Sequence, residues 1–291
     1  MNRSSNRIGI GAIGPAAWSA LQWRLLLLWI AGLLLPTAIV AVPLWRALAA
    51  QLDTTLHAAE WARQFDPMVF GDLMTVVGKS SGLLGASGLL ATVLVLVLSP
   101  LLTGMSIAAI RAGHRLGFGE LIHGGLNEYG RMFRLMLWAI VPMGLAIGLG
   151  AAAAQLAGKQ AETAILASQV ENAGNLALVF AALLFVFAHA SVEAARAQFA
   201  VDPSLRSAIR AWWRGFKLVL RRPLAMLGVY LILAAIGLGI AAALGVWRLG
   251  VAPASFAGLV LALLLTQLIA MAIGWMRTAR LYAYAEITRR G

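Results

Sequence analysis

The chain has 291 residues, of which 61% are hydrophobic and only 12% are charged, with a mean hydropathy of +0.85. An average soluble domain carries about 25% charged residues, so roughly half the usual solvating surface is missing. This excludes a cytosolic globular enzyme, a disordered tail and a nucleic-acid-binding domain, and the formal net charge of +12 has to be explained within a membrane protein. No cysteine is present, which removes disulfides, thiolate metal sites and a cysteine nucleophile.

Six charge-free runs follow one another: Leu25–Trp45, Ser80–Ile110, Leu135–Gly158, Asn172–Val192, Pro223–Trp247 and Leu249–Met276. Each exceeds the roughly 20 residues a helix needs to cross a hydrocarbon core. Lipid offers no partner to unpaired backbone groups, so the runs must be helical. The expected fold is an all-α polytopic membrane bundle of six transmembrane helices in three hairpins. Residues 1–291 form one integral membrane domain, with spans near 25–45, 82–110, 135–157, 173–193, 224–247 and 254–276. The first run is longer than the apolar core of a secretory signal and is expected to remain as a signal anchor.

An even number of spans leaves both termini on one side. On that side fall Arg3, Arg7 and Arg24; Arg111, Arg115, Arg131 and Arg134; Arg196, Arg206, Arg210, Arg214, Lys217, Arg221 and Arg222; and Arg277, Arg280, Arg289 and Arg290. These are eighteen basic residues, against five on the other side: Arg46, Arg63, Lys79, Lys159 and Arg248. The positive-inside rule then makes the termini cytoplasmic, and the net charge becomes a topology signal. Trp45 and Trp247 at outer ends, with Trp23, Trp138 and Trp275 near inner ends, fit an aromatic belt.

Each inner segment carries an aromatic and basic stretch running into the next apolar run: 17–24, 126–134 and 211–217. The chain therefore reads as a thrice-repeated unit of interfacial amphipathic helix plus hairpin. In the third stretch Leu205, Ala208, Ile209, Trp212, Phe216 and Val219 recur at helical spacing. Arg206, Arg210, Arg214, Lys217 and Arg221 form the opposite stripe, the pattern of a helix lying in a membrane interface. Asp202-Pro203-Ser204 is the expected helix start and Pro223 the turn into span five. The stripe serves either as plain topology and anchoring or as a docking surface for an anionic headgroup or a cytoplasmic or membrane protein partner. In the outer loop 46–79, Leu52, Leu56, Ala59, Ala62 and Arg63 suggest an amphipathic helix in an acidic setting of Asp53, Glu60, Asp66 and Asp72. It reads as a lid, a partner contact or a passive connector.

Ionisable groups inside spans are costly and default to functional candidates. His189 and Glu193 share one helical face at i and i+4, with Arg196 one turn on. They read either as a proton relay or metal half-site, or as a Glu193–Arg196 pair with His189 bonded to a neighbouring helix. A zinc site needs three or four ligands, and only His114, His123 and Glu120 share that side. Gln155, Asn175 and Gln267 are interhelical hydrogen-bonding positions or the lining of a polar path. No nucleotide loop, nucleophile elbow or intramembrane aspartate pair appears. No catalytic, cofactor or metal residue is therefore expected. Gly144-x-x-x-Gly148, Gly78-x-x-x-Gly82, Gly239-x-x-x-Ala243 and the series Gly82, Gly85, Gly88 suggest close helix packing within the chain, or oligomerisation. Pro36, Pro43, Pro100 and Pro142 are positions where spans can kink.

The segment Pro100–Leu126, with its proline, the Gly104-Met105 pair, Arg111 and a glycine-rich aromatic stretch, resembles bacterial six-span families. These are the YciC-like proteins and the membrane domain attached to some glycerophosphodiester phosphodiesterases. The resemblance implies a bacterial inner-membrane protein and carries over no catalytic residue, because the soluble phosphodiesterase domain is absent. The reading that follows is a non-enzymatic membrane subunit or scaffold in envelope or lipid homeostasis, in contact with anionic inner-leaflet lipids. The alternative is a small transporter or permease component with a polar path through His189, Glu193 and Gln267.

Overall fold

The computed structural model describes residues 2–52, 71, 74–75, 77–78, 80–164, 166–251 and 256–290. These form α1 (Asn2–Ser19), α2 (Trp23–Leu52), α3 (Ser81–Ala112), α4 (Phe118–Thr163), α5 (Ala167–Val201), α6 (Ala208–Arg221), α7 (Pro223–Leu249) and α8 (Phe256–Arg289). No strand occurs among the described residues. The fold is all-α, and α2, α3, α4, α5, α7 and α8 are each long and apolar enough to cross a membrane, as in a multi-pass membrane protein. The amphipathic helix expected around Leu56–Arg63 lies outside the described residues.

The amphipathic stretches do not repeat as one unit. The first is split: α1 ends at Ser19, and α2 starts at Trp23. The second is no separate helix, because α4 runs unbroken from Phe118 through the third span to Thr163. At about 1.5 Å per residue its 46 residues extend far beyond a hydrocarbon core about 30 Å thick. Nothing between Glu128 and Leu135 interrupts it, and the buried stripe Leu121, Gly125, Glu128, Met132, Leu135 continues through Pro142 and Ala146. That 3–4 spacing keeps one face inward along the helix. Only the third stretch, α6, stands alone. Pro223 opens α7 after Arg222, since proline suits the first helical position, where its missing N–H goes unused.

The helices contribute to two compact units. The first comprises residues 1–20, 103–234 and 277–291: α1, the last turns of α3, all of α4 to α6, the first half of α7 and the basic end of α8. Ile107, Leu121, Leu135, Phe199, Val219, Val229, Tyr284 and Ile287 are fully buried in it, and the Tyr284 hydroxyl donates to Met226 O at 2.9 Å. The second comprises residues 21–102 and 235–276, with Leu25, Leu26, Trp29, Leu102 and Leu265 in its interior. In both units the span surfaces are aliphatic: Leu176 of the first and Leu89 of the second are 71% and 69% exposed. Such a surface is costly in water and neutral in lipid.

The small-residue motifs fall differently from expectation. Gly82, Gly85, Gly88, Gly144, Gly148 and Gly239 have nothing within 4 Å of where a Cβ would stand. The close approaches lie elsewhere: Gly104 against Gly125 O (2.8 Å), Gly150 against the Ala181 methyl (2.9 Å), and Gly215 against Ala195 N (2.6 Å). Among the described residues the close approaches are made by single glycines, opposite small residues here and opposite Met276 at Gly237 (2.5 Å), rather than by the spaced pairs.

Candidate functional site

The first unit holds two buried carboxylates at its basic end. His189 and Glu193 do share a face of α5, with His189 Nδ1 3.9 Å from Glu193 Oε1. The partner of Glu193 is Arg280 on α8, whose Nη2 lies 3.0 Å from Oε1, both side chains being only 5% exposed. His189 meets α7, its Nδ1 3.1 Å from the Tyr230 hydroxyl, and the Arg280 guanidinium lies over the Tyr230 ring at 4.6 Å. The four side chains thus link α5, α7 and α8 by an ion pair, a hydrogen bond and a cation–π contact. His189 is thus bonded to a neighbouring helix, while Glu193 pairs with Arg280 rather than with Arg196. Replacing Tyr230 by Phe removes the hydroxyl and keeps the ring beneath Arg280. We expect a loss of about 0.6 kcal/mol, the average for interhelical hydrogen bonds in bilayers, measured by unfolding in mixed micelles.

The second carboxylate, Glu128 of α4, escaped the sequence reading. It accepts from Arg111 at the end of α3 and from Arg131 one turn on. Arg111 also donates to Phe199 O, and Arg131 to Pro203 O at 2.9 Å. One carboxylate therefore joins α3, α4, the end of α5 and the α5–α6 corner. The signal was present in the sequence: Glu128 occupies the inward position of the 121, 125, 128, 132, 135 series, and a charge on a buried face needs a partner.

The α5–α6 corner is short and tightly bonded. Asp202 caps the end of α5, its Oδ1 accepting from the Ser204 amide and hydroxyl and its Oδ2 from Arg214 at 2.9 Å. The Ser204 hydroxyl, and after it Arg214, hold the Asp202 carboxyl below the usual carboxylate range. The cap of α6 is Ser207, whose Oγ accepts from Arg210 N, so α6 starts later than Asp202-Pro203-Ser204 implied. The 202–204 group ends α5 instead.

Helix α6 presents three sectors rather than two. Ala211, Gly215 and Val219 are buried against the protein, with Gly215 on the backbone of α5. Ile209, Trp213 and Leu220 are about half exposed and share a second sector. Arg210, Arg214, Lys217 and Arg221 are exposed on a third. At 100° per residue the basic sector centres about 90° from the exposed apolar one, and each lies roughly 130–140° from the buried one. Arg206 precedes the Ser207 cap and lies off the helix, while Trp212 and Val219 turn toward the protein. Trp212 donates to Ser191 Oγ at 3.0 Å and meets Trp138 of α4 edge-to-face at 5.8 Å.

The remaining sequence candidates stay apart. Gln267 sits on α8 within the second unit, half-buried. His114 Nδ1 lies 2.9 Å from Ala112 O, and Glu120 accepts from Gly117 N at 2.6 Å. No three His, Cys, Asp or Glu come together as a metal ion would require among the described residues. No family model, no curated protein and no solved structure matches the chain.

Proposed function

We propose that this chain is a non-enzymatic protein of the bacterial inner membrane, with cytoplasmic termini, acting as a membrane subunit or scaffold in envelope or lipid homeostasis. The observation that carries this reading is the three-sector α6: one face locked to the bundle, one apolar face available to lipid, and one basic face turned outward. A helix fixed in that way holds four cations at the level of anionic headgroups or of a cytoplasmic partner. The eighteen-to-five distribution of Lys and Arg supports the orientation, and the likeness of Pro100–Leu126 to the YciC-like families supports the bacterial assignment. The buried ionisable groups support the non-enzymatic part, since Glu128 and Glu193 are each engaged by arginine rather than poised as acid or base.

The test is mild extraction of the tagged chain from its membrane, with mass spectrometry of the proteins and lipids that stay with it. A stoichiometric partner or an enriched anionic lipid is expected. The triple variant Arg210→Gln, Arg214→Gln, Lys217→Gln should insert normally but lose that enrichment. Each basic residue near an anionic surface contributes about 1 kcal/mol. Arg214 is already tied to Asp202, so the change is about 2 kcal/mol, or roughly 30-fold in local partitioning. Unchanged co-purification would remove the stripe as a docking surface.

The transporter alternative has one observation in its favour: Glu193 Oε2 is buried without a hydrogen-bond partner among the described residues, beside a histidine and a tyrosine. Proton-coupled uptake in vesicles that is abolished by Glu193→Gln would move the reading there.

A further inference from the structure

Beside α6 lies a groove of about 610 Å³, lined by Arg134, Leu137 and Trp138 of α4 and by Arg206, Ser207, Ala208 and Ile209 at the head of α6. Its chemistry is split. Two arginines line it, both exposed. Arg134 gives only its Nε to Gly130 O, and neither arginine pairs with a carboxylate among the described residues. Leu137 and Ile209, 49% and 54% exposed, form the apolar part. Trp138 is braced by Trp212, which is bonded to α5, so the wall is built from three helices.

Helix α4 extends beyond the groove. Leu137, Val141, Gly144 and Gly148 share one face at helical spacing. Leu137 and Val141 are exposed, and both glycines are open. The two glycines carry no side chain, so this face is lowest at Gly144 and Gly148, a shallow furrow in the membrane-crossing part of the helix. This gives a use to the Gly144-x-x-x-Gly148 motif, where a Cβ would meet nothing within 4 Å among the described residues.

We infer that this groove holds a single anionic phospholipid, its phosphate on Arg134 and Arg206 and one acyl chain in the Gly144–Gly148 furrow. Charge complementarity selects an anion, because guanidinium groups pair with phosphate through parallel N–H donors. The depth selects a lipid, because Trp138 stands where indoles mark the headgroup level and the furrow leads inward from it. The site differs from the α6 stripe, which attracts anionic lipid without fixing one molecule. The inference deepens the reading of the chain as a lipid-contacting protein and rests on it.

The test titrates the full chain in detergent with dioleoyl phosphatidylglycerol and dioleoyl phosphatidylcholine, with the bound states resolved by native mass spectrometry. Phosphatidylglycerol should fill the first site at least tenfold more tightly than phosphatidylcholine. Arg134→Gln with Arg206→Gln should abolish that preference, whereas Arg210→Gln with Lys217→Gln should leave first-site affinity within about twofold. Gly144→Leu with Gly148→Leu should weaken phosphatidylglycerol at least fivefold without lowering the thermal midpoint. Soluble glycerol phosphate should fail to compete, since a free phosphate lacks the chain that fills the furrow. Equal losses from the groove and stripe variants would reduce the site to diffuse charge. A change of oligomeric mass in the glycine variant with lipid affinity intact would assign the furrow to a second copy. Either overturns the inference. Groove selectivity that persists while the stripe variants leave co-purification unchanged sinks the docking reading alone, and the converse sinks only the groove.

Discussion

Replacing Arg280 by Ala is expected to destabilise the chain by about 3–5 kcal/mol, the cost of leaving one member of a buried ion pair without its partner. Arg280 and Glu193 are each 5% exposed and 3.0 Å apart, so water cannot take over the missing charge. The variant also strips the cation from the Tyr230 ring, and α8 loses its polar tie to α5. The double variant Glu193→Leu, Arg280→Met should recover much of the loss, because apolar residues of similar volume often replace a buried pair at little net cost. Thermal unfolding of the wild type, both singles and the double in one detergent gives the cycle. If Arg280→Ala melts within about 1 °C of wild type, the pair does not hold the helices together. If the double variant is no better than the single, the side chains contribute through packing rather than charge.

The contrast between that pair and the spans shows what was readable in the sequence. The six spans were legible because length and the absence of charge are one-dimensional properties, and each charge-free run lies inside a helix, the second from Ser81 and the last from Phe256 on. The helix ends were less so. Nothing between Arg131 and Leu135 announces whether an interfacial stretch breaks from its span, and α4 continues where α6 stops at Arg222. Partners were not legible at all. Arg280 reads as one of four basic residues after the last span, a topology signal, yet it is buried on Glu193. Glu128 reads as one residue of an interfacial stretch but joins α3, α4 and α5. Arg196 was the obvious partner for Glu193 because it is near in sequence, and the pair formed instead with a residue that only the folded chain brings close. The glycine motifs left their partner open for the same reason. The spacing of Gly144 and Gly148 states that a face is smooth, not what lies opposite it.

Gly215 and Gly144 make a pair of opposite sign that tests this directly. A Cβ at position 215 would stand 2.6 Å from Ala195 N and 2.8 Å from Ala194 C. Both are backbone atoms within α5, which no rotamer change can move. Gly215→Ala must therefore push α6 away from α5, opening the packing of Ala211 and Val219 and straining the Trp212 bond to Ser191. Overpacking costs about 1–3 kcal/mol. A larger residue such as Leu is expected to exceed that range and release α6 from the bundle, exposing its Ser207 to Arg221 amides to exchange. Gly144→Ala places the same methyl in open space. There it should stabilise by about 0.5–1 kcal/mol, since glycine is the poorer helix former. Melting the two single variants in parallel checks the sign, and hydrogen exchange across residues 207–221 checks the mechanism. Protection of α6 that survives Gly215→Leu means that the helix is held from another side. Its basic sector would then face somewhere other than the headgroup level.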